Sequence, residues 1–413
     1  MKTGAHMTAD IPENNGFTNI PVGKFGIIAM RGTEEIAKKI DQYIVHWREE
    51  NVNLDNTNSL NIEGYIKDSY LIDYYAPRFG TGEAKAVINE TVRGADIFIL
   101  CDVFNYSVTY KMYGKEVPMS PDDHYCDLKR LICAISGKAR RITVVMPMLY
   151  EGRQHRRAAR ESLDCAMALQ ELIGMGVDSI ITLDAHDPRV GNSIPYNGLE
   201  NINPIYQMIK AIVRTHPDIR FDSDHLMVVS PDEGGMGRAI NFATALGVEL
   251  GMFYKRRDYT QIVDGRNPII AHEFLGSNIE GKDIIVVDDM ISSGDSMIEV
   301  ASKLKDLGAN KIYVCCSFGL FVNGLEIFDK AHEDGLIESV YTTNTIYQTP
   351  ELLARPWYTS VEMSKFLAYI LDSINHDVSI SHLLSPAEKI KNILEKHEKD
   401  LAETENTQIK FDL

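Results

Sequence analysis

Ile284-Ile285-Val286-Val287-Asp288-Asp289-Met290-Ile291-Ser292-Ser293-Gly294-Asp295-Ser296 is the stretch that decides the fold. Its first four residues are β-branched and read as a buried strand. Two carboxylates stand where that strand is expected to end. A short run of Ser and Gly follows, and then Met297, Val300, Ala301, Leu304 and Leu307 recur at helical spacing up to Gly308. Strand, small-residue turn and helix together make one unit of an α/β sheet. Ligands of such sheets bind beyond the carboxyl ends of the strands. A turn of small residues at a helix N-terminus offers free backbone N–H groups to an anion. The segment can therefore hold a phosphate on its turn and sugar hydroxyls on its carboxylates, so a phosphorylated sugar is the first ligand to consider.

The same alternation extends in both directions. Strands are expected at 24–30, 96–100, 141–146 and 179–183, and again at 226–229, 251–254, 283–287 and 311–315. Helical patterns lie between them, with Thr33 as the expected cap of the first. The fold class is α/β: two tandem domains, each a mainly parallel sheet flanked by helices. Residues 102–123 interrupt the alternation and read as a loop or lid. From Ser385 the chain is charged, with Ile390, Ile393 and Leu394 at helical spacing.

The chain has 413 residues, 59 acidic against 42 basic, for a net charge of −17. That balance argues against nucleic acid as a partner, which requires a basic face. No apolar run reaches the roughly 18–20 residues that span a bilayer, so no membrane segment is expected. Residues 1–17 are polar and lack the apolar centre of a signal peptide, and read as a flexible tail. None of the six cysteines forms a C-x-x-C pair. Buried free thiols in a reducing cytoplasm are the expectation.

Four further elements carry chemistry. Arg153, Arg156, Arg157 and Arg160, with Gln154 among them, follow the strand expected at 141–146. Arginine holds phosphates through paired hydrogen bonds, although such a cluster can also be a solvated helix start. Asp184-Ala185-His186 sits at a strand end, where carboxylate and imidazole either share a metal or its waters or make an ordinary hydrogen-bonded terminus; Mg²⁺ takes few protein ligands. Ser230-Pro231-Asp232-Glu233-Gly234-Gly235-Met236-Gly237-Arg238 is a Gly-rich strand-to-helix turn whose backbone can approach a phosphate closely. Lys255-Arg256-Arg257 leads into a polar stretch without periodicity. This reads as a basic surface loop or as a mobile loop that closes over an anionic substrate.

In this order, the elements resemble the ribose-phosphate pyrophosphokinases over nearly the whole chain, from Phe25 to Leu384. The likeness rests on V-V-S-P-D-x-G-G-x-x-R-A at 228–239, K-R-R at 255–257, V-D-D at 287–289, R-Q at 153–154 and D-x-H at 184–186. V-R-G-A-D-I-F-I at 92–99 and T-N-T-I at 343–346 add to it. The resemblance implies two phosphoribosyltransferase-like domains and a Mg²⁺-dependent transfer of the diphosphoryl group of ATP to the C1 hydroxyl of ribose 5-phosphate. By the same token Asp288 and Asp289 would take the ribose hydroxyls, and Ser292, Ser293, Gly294, Asp295 and Ser296 the 5-phosphate. Asp184, His186 and Asp232 would meet Mg²⁺. Phe79 and Glu83 of Arg78-Phe79-Gly80-Thr81-Gly82-Glu83 would bind the nucleotide with Arg153, Gln154 and Arg156. Lys255 and Arg257 would be catalytic, and a homo-oligomer built of dimers, possibly a hexamer, is implied.

The resemblance also implies domain limits. Residues 18–190, completed by 350–384, would form the ATP-side domain and 191–349 the ribose 5-phosphate side, with 385–413 a charged helix or tail. Four positions depart from the family pattern. Thr81 and His155 replace carboxylates on the nucleotide side. Ser292 replaces an acid in the sugar-phosphate turn, and Asp295 adds one. The segment 101–125 is longer than the family's connection. Two other readings stand beside an active enzyme. One is a non-catalytic homologue that regulates a true synthetase. The other is a phosphoribosyltransferase that consumes the product, although that would leave Phe79, Glu83 and the Arg153 cluster without a role.

Overall fold

The computed structural model describes residues 19–53, 63–257, 269–384 and 386–411. The expected N-terminal tail and the polar stretch after Arg257 lie outside the described residues. The first half runs β1 (Lys24–Ala29), α1 (Glu34–Asn53), the short pair β2 (Tyr74–Tyr75) and β3 (Val87–Ile88), and β4 (Ala95–Leu100). The hairpin β5 (Thr109–Met112) and β6 (Lys115–Pro118) comes next, then α2 (Pro121–Ile135), β7 (Arg141–Val145), α3 (Asp164–Gly174), β8 (Ser179–Leu183) and β9 (Gly198–Ile202). The second half runs α4 (Ile205–Thr215), β10 (Leu226–Ser230), α5 (Met236–Leu246), β11 (Glu249–Arg257), β12 (Ile269–Leu275), β13 (Asp283–Ile291) and α6 (Asp295–Asp306). It continues with β14 (Ile312–Gly319), α7 (Glu326–Glu333), β15 (Ser339–Thr343), α8 (Pro350–Leu353), β16 (Tyr358–Val361), α9 (Ser364–Asn375), α10 (Ser381–Leu384) and α11 (Ala387–Phe411).

Two sheets result, one ordered β1-β4-β7-β8-β9 and the other β12-β11-β10-β13-β14-β15-β16. All neighbours in them are parallel except β11 and β12. β4, β10 and β14 are buried at every position, which is why they read as unbroken apolar runs: helices cover both faces. Each buried Ile or Val contributes about 1.5–3 kcal/mol. On α6 the expected face, Met297, Val300, Ala301 and Leu304, is buried, whereas Leu307 caps the C-terminus and is exposed.

The domain limits differ from the sequence expectation. Gly198–Ile202 is the edge strand of the first sheet, so the first sheet closes after residue 202 rather than at 190. The segment 350–384 divides. Tyr358–Val361 pairs with β15 of the second sheet, whereas α9 returns to α1. That return is fixed by Arg48, 1 % exposed, which pairs with Asp372 at 2.5 Å and donates to Asn375 at 2.8 Å. The rings of Phe25, Tyr65 and Tyr70 surround its guanidinium at 4.6–4.9 Å.

Other elements also depart from expectation. The hydroxyl of Thr33 donates to the carbonyls of Met30 and Leu100 and so anchors the β1–α1 turn to β4. Lys255 and Arg257 are not in a loop. They belong to β11, whose antiparallel pairing with β12 shows a register shift between Arg256 and Arg257. Residues 102–123 are not irregular, because they contain the β5–β6 hairpin and the start of α2. A reciprocal Ser120–Asp123 capping box and Pro121 in the first turn start that helix.

Candidate active site

The carboxyl ends of the two sheets meet. Asp184, the residue after β8, is buried and takes a left-handed backbone (φ 39°). For a non-glycine residue that conformation is strained, and such strain gathers at functional sites. Its carboxylate accepts from Arg238 Nε at 2.7 and 2.8 Å and from Ser317 Oγ of β14 at 2.5 Å. Arg238, one turn into α5, also stands 3.7 Å from Asp288. Burial opposes its charge, but Asp184, Asp289 and Asp288 hold the guanidinium firmly protonated. Burial pushes Asp184 up, and Arg238 and Ser317 only partly offset it.

His186 Nδ1 lies 2.7 Å from Asp289 Oδ2 and spans the two halves. This bond raises the His186 pKa against its burial. Burial would raise Asp289 too, but His186 and Arg238 together bring it below the usual carboxylate range. Asp288 goes the opposite way, raised well above it by burial and by the charge of Asp289. The two adjacent carboxylates are thus pushed in opposite directions, one toward its ionised form and one toward its neutral form. Arg153, His186 and Asp289 line one cleft of about 170 Å³, with Phe104, Pro121, Glu151 and Asp184.

β13 does not end before its carboxylates. Pairing with β10 stops at Val286, whereas pairing with β14 continues to Ile291. Asp288 and Asp289 therefore occupy a strand with one side open. Gly235 of the β10–α5 turn lies across that side: a Cβ there would be 3.7 Å from Asp288 Oδ1. The turn is held by Asp232, whose Oδ1 accepts from Gly234 N at 2.9 Å and Gly235 N at 3.2 Å. Beyond Ile291, Gly294 caps α6 with φ 97° and no side-chain cap, leaving first-turn N–H groups without helical partners. A Cβ at Gly294 would lie 2.3 Å from the Phe328 ring, so only glycine fits. Asp295 begins α6, exposed, where a carboxylate suits the positive helix end.

The nucleotide-side candidates are not all gathered. Arg153 faces the cleft, but Gln154 spends its amide on the carbonyls of Ser162 and Arg156, and Arg156 stands exposed away from the cleft lining. His155 Nε2 lies 3.4 Å from the carboxylate of Asp187, which Arg189 also holds. That bonding to Arg189 keeps Asp187 well below the usual carboxylate range. Phe79 and Glu83 do not line the cleft. They close a tight turn, Phe79 N donating to Glu83 O at 2.7 Å, with Phe79 half exposed. Sequence reasoning gave no role to Arg238, Ser317 or Asp187. Arg238 was visible as a lone cation one turn behind a Gly-rich turn; Ser317, inside an apolar strand, carried no signal.

Comparisons with known proteins agree with this arrangement. Residues 25–176 match the family model described as the N-terminal domain of ribose phosphate pyrophosphokinase, and residues 197–354 match the phosphoribosyl transferase domain. The ribose-phosphate pyrophosphokinase of Vibrio cholerae is 28% identical over 319 residues, 76% of this chain and 91% of that protein. That of Shewanella oneidensis is 29% identical over 320 residues, with the same coverage. The crystal structure of phosphoribosylpyrophosphate synthetase from Mycobacterium smegmatis shares the fold. Its TM-score is 0.67 at 20% identity, covering 87% of this chain and 99% of that one. Two tandem domains of this type, joined at the strand ends that carry V-D-D and D-x-H, make this chain a member of the ribose-phosphate pyrophosphokinase family.

Proposed function

We propose that this chain transfers the diphosphoryl group of ATP to the C1 hydroxyl of ribose 5-phosphate, giving 5-phosphoribosyl 1-pyrophosphate and AMP. The observation that carries the reading is the shared cleft, where Arg153 of the first half meets His186 and Asp289 at the junction. Asp288 and Asp289 hold the ribose hydroxyls. The N–H groups of Ser293, Gly294, Asp295 and Ser296, with the Ser292 hydroxyl, hold the 5-phosphate. Arg153, with Gln154 and Arg156 nearby, faces the polyphosphate of ATP, and Phe79 and Glu83 take its base. Lys255 and Arg257 meet the negative charge that develops as the C1 oxygen attacks the β-phosphorus. Positioning and charge stabilisation carry most of such a transfer.

Mg²⁺ belongs to the same proposal. Among the described residues no three His, Cys, Asp or Glu side chains converge on one point, and the Asp184 carboxylate is taken by Arg238 and Ser317, so Asp184, His186 and Asp232 would meet the cation through its waters. A cation that keeps several waters fits this better than one needing four protein ligands. Bound there, Mg²⁺ would neutralise phosphate charge. A homo-oligomer belongs to the same proposal, because exposed Phe79 faces outward, where a neighbouring copy would meet it. All six cysteines are free, which suits the reducing cytoplasm as the site of action; among the described residues no helix is long and apolar enough to cross a membrane.

The test is AMP release from ATP, Mg²⁺ and ribose 5-phosphate. Lys255→Ala should lower turnover on the order of 10²–10³-fold while ribose 5-phosphate still binds. Wild-type turnover in that variant would remove Lys255 from the chemistry, and silence of the native protein with every nucleotide would sink the reading.

A further inference from the structure

The segment 101–125 touches three places at once. At its base, Asp102 is buried and accepts from Tyr347 N of the second half at 2.7 Å and from Phe104 N at 3.0 Å. The rings of Tyr106 and Tyr347 meet edge to face at 5.5 Å. Near the base, Phe104 and Pro121 form part of the cleft wall beside Arg153 and His186. At its tip, β5–β6 lies along the 78–83 turn. Tyr113 N donates to Gly80 O at 2.8 Å, and a Cβ on Gly82 would meet Met112 Sδ at 3.0 Å.

Arg78 is the joint between tip and turn. Its side chain is 4 % exposed and pairs with Asp127 at 2.9 Å and Asp123 at 3.4 Å. It donates to the turn's own Gly82 O at 3.1 Å and to Asp123 O at 3.3 Å. The ring of Tyr110 covers it, with Cζ 4.5 Å from the ring centre. A guanidinium closed in by carboxylates and an aromatic face is fixed in direction, and here it fixes the carbonyl of Gly82 between Phe79 and Glu83. The turn lacks the carboxylate usual at position 81; the Thr81 hydroxyl instead bonds Glu83 at 2.9 Å.

We infer that the β5–β6 hairpin is a brace that holds the 78–83 turn in its nucleotide-binding shape, with Tyr110 as the positioning residue. The inference rests on the proposed nucleotide role of Phe79 and Glu83 and adds what sets that turn's geometry. The brace ties turn and cleft wall into one piece, whichever copy's cleft the turn serves.

The experiment measures ATP affinity by direct titration of the full-length protein, and KM for each substrate by AMP release. Tyr110→Ala should weaken ATP binding about tenfold, whereas Tyr110→Phe stays within about twofold, since the ring face does the work. A protein with residues 110–117 replaced by a short Gly-Ser link should match Tyr110→Ala, with KM for ribose 5-phosphate unchanged in every variant. Wild-type ATP affinity in both the Ala and the shortened variants would overturn the inference, as would equal loss of both substrates or a native protein that binds no nucleotide. A native protein that binds ATP but releases no AMP would refute the proposed reaction and leave the brace standing on its affinities.

Discussion

The two turns proposed to hold the sugar phosphate and the nucleotide, 292–296 and 78–83, are built on opposite principles. The 292–296 turn is made mostly by its neighbours in sequence: β13 delivers it, Gly294 bends it and α6 receives it, with one distant contact, the Phe328 ring that leaves no room for another residue at 294. The 78–83 turn has little of its own. One bridge, Arg78 to Ala84, and two backbone bonds close it, and its shape also depends on Tyr110, Met112, Tyr113, Asp123 and Asp127, about 30 to 50 residues away in the chain. A site made locally tolerates change elsewhere. A site made by distant contacts can be altered without touching a ligand-binding residue.

The largest effect is expected at Arg238, which touches neither turn but pairs with Asp184 of the first half and stands beside Asp288 of the second. Arg238→Met leaves Asp184 buried without its cation, a loss of about 3–5 kcal/mol. A large fall in thermal midpoint and the loss of turnover are expected; a stable, active variant would mean that Ser317 alone satisfies Asp184. Gly294→Ala is smaller and one-sided. The left-handed backbone costs roughly 1–2 kcal/mol, and the contact with Phe328 adds to it, so KM for ribose 5-phosphate should rise at least tenfold with KM for ATP unchanged. Equal shifts in both would show that the two turns are coupled.

Asp102 sharpens the other side through its pH dependence. Burial raises its pKa to about 7, against the N–H bonds of Tyr347 and Phe104. An acid raised on folding binds its proton more tightly in the native state. The stability linked to it is therefore full below the free value near 3.9 and is lost as pH rises through about 7. One proton gives a slope of at most about 1.4 kcal/mol per pH unit. Asp102→Asn should flatten chemical-denaturation stability between pH 4 and 7 relative to the native chain; parallel curves would show that Asp102 is ionised throughout.

How much of this was legible follows from the range of each interaction. V-V-D-D and the Ser-Gly turn were legible because periodicity, turn chemistry and helix start all fall within one window. D-x-H was legible as a pair at a strand end, but not its partners. Asp184 is claimed by Arg238 and Ser317, and His186 by Asp289, over separations of 54 to 133 residues. β12 is not legible because it is an antiparallel edge strand paired largely to the basic end of β11, and of that partner only 251–254 reads as a strand, the basic end as a loop. The hairpin is not legible because its pairing is exposed and its sequence polar, and its contacts with Arg78 and the 78–83 turn lie about 30 residues away in the chain.

The sequence by itself determined the α/β class, the two parallel sheets and the family, because these follow from local periodicity and from motifs whose order survives in the chain. Which carboxylate is pushed toward its neutral form, where the first sheet closes and what holds the 78–83 turn emerge only from the fold. Those depend on burial and on charges brought together from distant positions, and neither is a property of any window of sequence.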